Sequence, residues 1–418
     1  MQAGPENSKR HSILLAAAGA VLMTVGLPRT VLAQAEAPLP PPPSLAAPAL
    51  APTPDWTARD VAQLAQALRH ATAHGLDAAA LRREVAAAGP GDNVGLDRVA
   101  LAYARALASG VVDPAGLHDV FTLPTNRPDL RAGLQAALAG HRVADWLASL
   151  PPQDDGYRAL SHAYLAARAA AQAHPGSAAL RGKARTLAVN LERRRWLARE
   201  PAATRIDVNI AAARLWFWRD GMLLDTRKVV AGSPRHETPL IAASFSRIVT
   251  NPPWNVPASI ARREILPKGA GYLARHGMRM VDGRVVQDPG PDSALGLVKF
   301  DLEDDQDIYL HDTPAQAAFD REDRNLSHGC IRVEDAVGFA RLVAETYGVA
   351  DQFDERLASG DTRSVSLGAD VPVRLLYETA YFDDGRLRFA PDVYGWDADL
   401  AAAMDMTDRL AAPLGDRS

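Results

Sequence analysis

The sequence predicts an α+β protein: an all-helical N-terminal domain followed by a β-rich domain that carries a lid-like insertion. Three observations lead there. From Thr57 to Glu200 apolar residues recur at helical spacing in an alanine-rich background. Near Thr204 the period drops to two, with Ile206, Val208 and Ile210 alternating against Asp207 and Asn209. Beyond that, "NPPWNVPASIARREILPKGAGYLARHGM" breaks the strand pattern with prolines, glycines and a short basic helix, as a lid does. At 418 residues the chain has length for two domains and a sizeable core. A formal net charge of −4 leaves no broad basic field for nucleic acid.

Taken in order, residues 1–35 read as an export signal. Lys9, Arg10 and His11 precede the apolar run "SILLAAAGAVLMTVGL", and Ala33-Gln34-Ala35 supplies small residues for cleavage. A single membrane anchor is the alternative reading of the same run; cleavage after Ala35 leaves no stable membrane insertion. Residues 36–56 are dense in proline and read as an extended tether. Residues 57–203 form the helical domain. "ARDVAQLAQALRHATAHGL" places Val61, Leu64 and Leu68 on one face and stops at Gly75. "LDRVALAYARALASG" repeats the form, and two longer helices follow, "YRALSHAYLAARAAAQA" and "SAALRGKARTLAVNLERRRWLARE".

Residues 204–397 form the β-rich domain, with the lid at about 252–290. "RIDVNIAAARLWFW", the turn Asp220-Gly221 and "LLDTRKVVAG" read as a hairpin. The strand "DIYLHD" puts Tyr309 and His311 on one face, with Ile308 and Leu310 turned to the core. A helix follows through "EDAVGFARLVAETYG". A second hairpin closes the domain around Asp383-Asp384-Gly385. Residues 398–418 read as a tail.

The chain holds one cysteine, Cys330, inside "NLSHGCIRVED". In an oxidising compartment cysteines usually pair, and this one has no partner in its own chain. It is an inert core thiol, an intermolecular bridge or a reactive thiol. Three neighbours support reactivity. The helix expected from Glu334 offers its N-terminus to a thiolate. His328 lies two residues away. His311 lies 19 residues upstream (330 − 311), at the end of a strand. Gly329 permits a tight turn whose free N–H groups can stabilise an oxyanion. Arg332 can clamp a substrate carboxylate, or simply pair with Glu334 or Asp335. His311, His328 and Cys330 can also be read as three zinc ligands, although an H-x-C pair lacks the usual spacing.

"YLHDT", about fifteen residues, then "SHGCIR" resembles the signature of L,D-transpeptidases with the YkuD catalytic domain. Ser327, His328, Gly329, Cys330 and Arg332 fit its S/T-H-G-C-x-R form, and His311 fits its upstream histidine. "VVAGSPRHETPL", "GYLARHG" and the closing "YGWD" are similar to the large Gram-negative, YcbB-like branch. The resemblance implies a periplasmic enzyme with no metal or cofactor. Peptidoglycan stem peptides would be its partners and carbapenems its inhibitors. Cys330 would attack the amide after a diaminopimelate centre and release D-Ala, and His311 would take the thiol proton. The backbone carbonyl of Asp312 would orient His311. Gly329 and Cys330 N–H groups would form the oxyanion hole, with His328 shaping the turn. Ser327, Tyr309, Asp312 and Arg332 would contact substrate. Many members carry Gly or Ser where this chain has Asp312. Relatives of the branch also carry a peptidoglycan-binding module, and no such pattern is recognisable between Pro152 and Glu200. The implied product is a 3-3 cross-link between diaminopimelates, or a 1-3 link from L-Ala. Carboxypeptidase or D-amino-acid exchange chemistry, and a non-catalytic wall-binding scaffold, are the competing readings.

Overall fold

The computed structural model describes residues 54–89 and 91–404. The expected export signal, the tether through residue 53 and residues 405–418 lie outside the described residues. Among those described, no helix is long and apolar enough to cross a membrane.

Helix Ala58–Arg69 begins where Thr57 and Asp60 close a capping box, each side chain accepting from the other's backbone N–H. It packs with helices Asn93–Ser109 and Leu130–Ala139 around Leu64, Leu68, Val99, Leu107 and Leu134, all nearly or fully buried. Trp56 packs on this core, and its indole donates to Asp97 at 2.9 Å. Trp56, placed in the tether by the sequence reading, is therefore part of the packed helical domain. Helices Asp155–Ala173 and Ala178–Trp196 form a second layer. The chain between, residues 118–129, is not helical, contrary to the all-helical expectation. It bridges to the sheet through Phe121–Leu240 and to the second helix through Thr125–Leu197.

The strands are β1 (Arg205–Asn209), β2 (Arg214–Arg219), β3 (Met222–Gly232), β4 (Ala242–Thr250), β5 (Trp254–Asn255), β6 (Met278–Val281), β7 (Arg284–Gln287), β8 (Val298–Asp301), β9 (Tyr309–His311), β10 (Asn325–Ser327), β11 (Ile331–Val333), β12 (Arg363–Leu376), β13 (Ala380–Asp383) and β14 (Arg386–Phe389). The main sheet runs β10-β3-β11-β9-β8-β4-β12-β1-β2, and β2 pairs back onto β3, which closes the ring. Closure removes sheet edges that would otherwise invite aggregation.

Inside the sheet, Phe217 packs edge-on against Phe339 of helix Ala336–Thr346 and Phe245 edge-on against Phe300, whose ring tilts onto Phe339; all four are fully buried. "RIDVNIAAARLWFW" is a hairpin in itself rather than one strand. The chain turns at Ile210–Ala213, and Arg205 pairs with Trp218. Asp207 and Asn209 do face away from Ile206 and Val208, but that face is covered too. Asp207 is held by Arg374 and Arg205, and Asn209 exchanges bonds with the backbone of Glu378.

The expected lid is not an irregular segment. β5, β7 and β6 make a three-stranded sheet that packs with short helices between 258 and 275 around Val256, Ala261, Ile265, Met278 and Val285. The expected tail from residue 398 is also corrected. Trp396–Ala403 is a helix whose Leu400 and Ala401 pack on Tyr157, Leu160 and Leu187, beside β13.

Candidate active site

β9 and β11 lie side by side and parallel, pairing Leu310 with Ile331 and His311 with Arg332. Period-two alternation then sorts the side chains. Leu310, Ile331 and Val333 enter the core. Tyr309, His311, Cys330 and Arg332 share the opposite face. The expectation for "DIYLHD" holds, with Ile308 and Leu310 in the core.

Cys330 ends a turn between β10 and β11. The Ser327 hydroxyl accepts from the Gly329 N–H at 3.1 Å and donates to the Cys330 carbonyl at 2.6 Å. Gly329 sits at φ 113°, a conformation that L side chains rarely adopt, which explains the glycine. Behind the turn, Thr238 donates from Oγ1 to the Gly329 carbonyl at 2.7 Å and accepts from the Gly232 N–H at 2.9 Å. Tyr394 donates to the Gly232 carbonyl at 2.7 Å and accepts from the Thr238 N–H at 3.2 Å. Ser327 is thus buried turn structure, and its expected contact with substrate is corrected. Of the expected oxyanion pair, the Gly329 N–H is therefore already engaged by Ser327.

His311 is 5% exposed, and its Nδ1 lies 2.6 Å from the Asp312 carbonyl. A carbonyl only accepts, so Nδ1 carries the proton and Nε2 keeps the lone pair. Burial, with Arg332 and Lys299 nearby, lowers its pKa to about 3. The Asp312 carboxylate accepts from the Leu297 N–H at 2.9 Å. Asp312 positions His311 through its carbonyl, while its half-buried carboxylate holds the Leu297 backbone.

Burial raises the Cys330 thiol above its ordinary value, while the backbone and hydroxyl of Tyr309 and the ammonium of Lys299 oppose that rise. Burial, followed by the neighbouring Cys330, likewise raises the Tyr309 phenol, and Trp254 opposes it. Lys299 lies 4.3 Å over the Tyr309 ring. The expected helix N-terminus contributes nothing: β11 separates Cys330 from helix Ala336–Thr346, and Asp335 caps that helix.

Arg332 makes no ion pair among the described residues, and its Nε is buried without a partner. Glu334 pairs with Lys228 and Asp335 with Arg227, so the local-pairing reading of Arg332 is removed. Burial lowers the guanidinium's pKa, whereas Cys330 and Tyr309 favour its charge. An uncompensated cation on this face attracts an anion.

His328 is not gathered with the other two groups into a metal-ligating cluster. Its Nε2 bonds Glu264 of the lid at 2.7 Å, and its ring lies 4.5 Å from that of His236. Thr238, Lys299, Trp254 and Glu264 were not anticipated from sequence. Thr238 reaches a carbonyl 91 positions away, a separation that leaves no local signal.

Comparison with known proteins adds two domain matches. Residues 203–365 match YkuD, the L,D-transpeptidase catalytic domain, and residues 51–163 match the Scaffold domain. A Haemophilus influenzae protein named "Putative L,D-transpeptidase" is 34% identical, the match covering 47% of this chain and 45% of that protein. The chain thus matches less than half the length of this curated relative. Among solved structures, the catalytic domain of the E. faecium L,D-transpeptidase acylated by ertapenem is 16% identical. That match covers 42% of this chain and 99% of that one, with a TM-score of 0.25. The L,D-transpeptidase from Mycobacterium smegmatis is also 16% identical, covering 41% and 58%, with a TM-score of 0.24.

Proposed function

For a chain that joins a YkuD L,D-transpeptidase catalytic domain to a Scaffold domain, we propose a peptidoglycan L,D-transpeptidase with Cys330 as its nucleophile. The observation that carries this reading is one sheet face shared by a thiol, a neutral imidazole of fixed tautomer and an unpaired guanidinium.

Cys330 Sγ attacks the carbonyl carbon of the stem amide while His311 Nε2 takes the thiol proton. Nδ1 stays bonded to Asp312, so the ring keeps its orientation as its charge appears. The Cys330 N–H meets the developing oxyanion. His311 returns the proton to the leaving amine of D-Ala, and a thioester remains on Cys330. An amine of a second stem attacks the thioester, the new amide forms and the thiol is restored. Arg332 holds a substrate carboxylate. The acceptor is the side-chain amine of a second diaminopimelate, giving a 3-3 bond. The N-terminal segment exports the chain to the periplasm, where this substrate lies.

Intact-mass analysis after incubation with a carbapenem tests the nucleophile. A single adduct on Cys330 is expected in the wild type and none in Cys330→Ala. An adduct of equal yield in Cys330→Ala would refute the assignment.

A further inference from the structure

A cleft of about 880 Å³ lies between the helical region and the β1–β2 hairpin, toward the upper end of the range for ligand sites of about 300–1,000 Å³. Neither the nucleophile turn, β9 nor the lid lines it, so it is separate from the Cys330 site. We infer that this cleft binds a neutral oligosaccharide of the class that forms glycan strands.

Its walls show why the ligand is uncharged. Arg374 grips Asp207 with two bonds, at 2.7 and 2.9 Å, and Arg205 adds a third at 2.8 Å. Arg194 is shared between Asp154 and Glu378. Arg199 spends its terminal N–H groups on backbone carbonyls, among them those of Leu197 and Leu150. Arg194, Arg205 and Arg374 are matched by carboxylates, Arg199 is held by carbonyls, and Glu200, Asp383 and Asp384 also line the cleft, so a polyanion gains little Coulomb energy here. What remains are planar donors and acceptors in fixed positions, the partners that vicinal hydroxyls use.

Aromatic surface supplies the second requirement. Trp218 is half-buried under the Arg205 guanidinium, 4.8 Å from its ring centre; its indole nitrogen is itself buried and has no acceptor among the described residues. Trp216 is fixed by Asp383 at 2.9 Å and packs edge-on against Tyr381. Phe382 stands 41% exposed at the cleft. Flat apolar faces beside fixed polar groups suit the C–H faces and hydroxyl edges of pyranose rings. A glycan strand also carries the stems on which Cys330 acts, so the cleft would hold the polymer while the other site works on its peptides. The choice of glycan rests on the proposed activity; the neutrality of the ligand does not.

Full-length Cys330→Ala protein is titrated with chitohexaose and followed by saturation-transfer NMR. Saturable binding is expected, weakened about tenfold or more by Trp218→Ala and by Phe382→Ser. Phe382 is exposed, so Phe382→Ser should keep the parent melting temperature and separate lost binding from lost folding. Absence of saturable binding overturns the inference, as does binding indifferent to both substitutions. Displacement of the sugar by a synthetic peptide of residues 36–53 also overturns it, because the cleft would then belong to the chain's own proline-rich segment. Carbapenem acylation of the wild type is measured in parallel. Acylation without sugar binding sinks the cleft inference alone, and sugar binding without acylation sinks the proposed activity alone.

Discussion

Cys330 and His311 rest as a neutral pair. Burial raises the thiol, and it lowers the imidazole to about 3, so neither is charged near pH 7. The proton therefore moves during attack rather than beforehand. The rate of Cys330 alkylation by iodoacetamide should climb about tenfold per pH unit from pH 7 to 9, without a plateau. A plateau below pH 7 would mean a preformed thiolate–imidazolium pair. Arg332→Gln should lower donor turnover, read as kcat/KM, by about 10- to 100-fold, the equivalent of a charge-assisted bond of roughly 1.5–3 kcal/mol. Unchanged kcat/KM would exclude Arg332 from substrate binding. At this scale the sequence was informative: the motif singled out Cys330, His311 and Arg332, and the structure puts them on one face. Ser327 was misread, because its buried hydroxyl closes its own turn, and the bond from the Asp312 carboxylate to the Leu297 N–H was not foreseen. Whether a hydroxyl or carboxylate faces outward or closes its own turn depends on backbone geometry that residue type does not carry.

Among the described residues, the expected lid and the nucleophile turn meet at one hydrogen bond, Glu264 to His328. Glu264→Gln should raise hydrogen exchange in 254–287 and leave β4 and β12 protected. Equal exchange in both proteins would mean that the lid's own core holds it in place. Elements with strong local chemistry were legible. The Asp220-Gly221 and Asp384-Gly385 turns both occupy left-handed conformations between antiparallel strands, as two-residue hairpins require. The helix after Cys330 was legible too, but its start was placed too early. β11 spans only three residues, too few for alternation to register, and it carries the thiol away from the helix dipole. The lid sheet stayed hidden for the same reason, since β5 spans two residues and β6 and β7 four each.

Across the molecule the helical layer and the sheet are bound by a buried network. Arg193 pairs with Asp397, which also accepts from Thr379, and Asn190 exchanges bonds with Thr379. These partners lie up to 204 positions apart, so no local pattern announces them. The 397/398 boundary, drawn where the resemblance ends at "YGWD", fell inside the helix they anchor. Asp397→Ala should cost about 3–5 kcal/mol in chemical denaturation, because it strands a buried guanidinium. A loss under about 1 kcal/mol would show that Arg193 finds water or another partner. His74 and His118 are lowered to about 4, mainly by burial, and His311 to about 3. Their unfolded forms bind protons near pH 6.5, so the unfolded state gains more protons on acidification. The melting temperature should therefore fall from pH 6.5 toward pH 4; a flat or rising profile would contradict these burials. The assignment of Cys330 as a transpeptidase nucleophile rests on the product that the chain makes. Purified protein incubated with tetrapeptide-stem muropeptides, and analysed by mass spectrometry, should yield a cross-linked dimer one D-Ala lighter than its two substrates. Cys330→Ala should yield none. A dimer formed by Cys330→Ala, or no dimer, exchange or hydrolysis product from folded wild type, would contradict it.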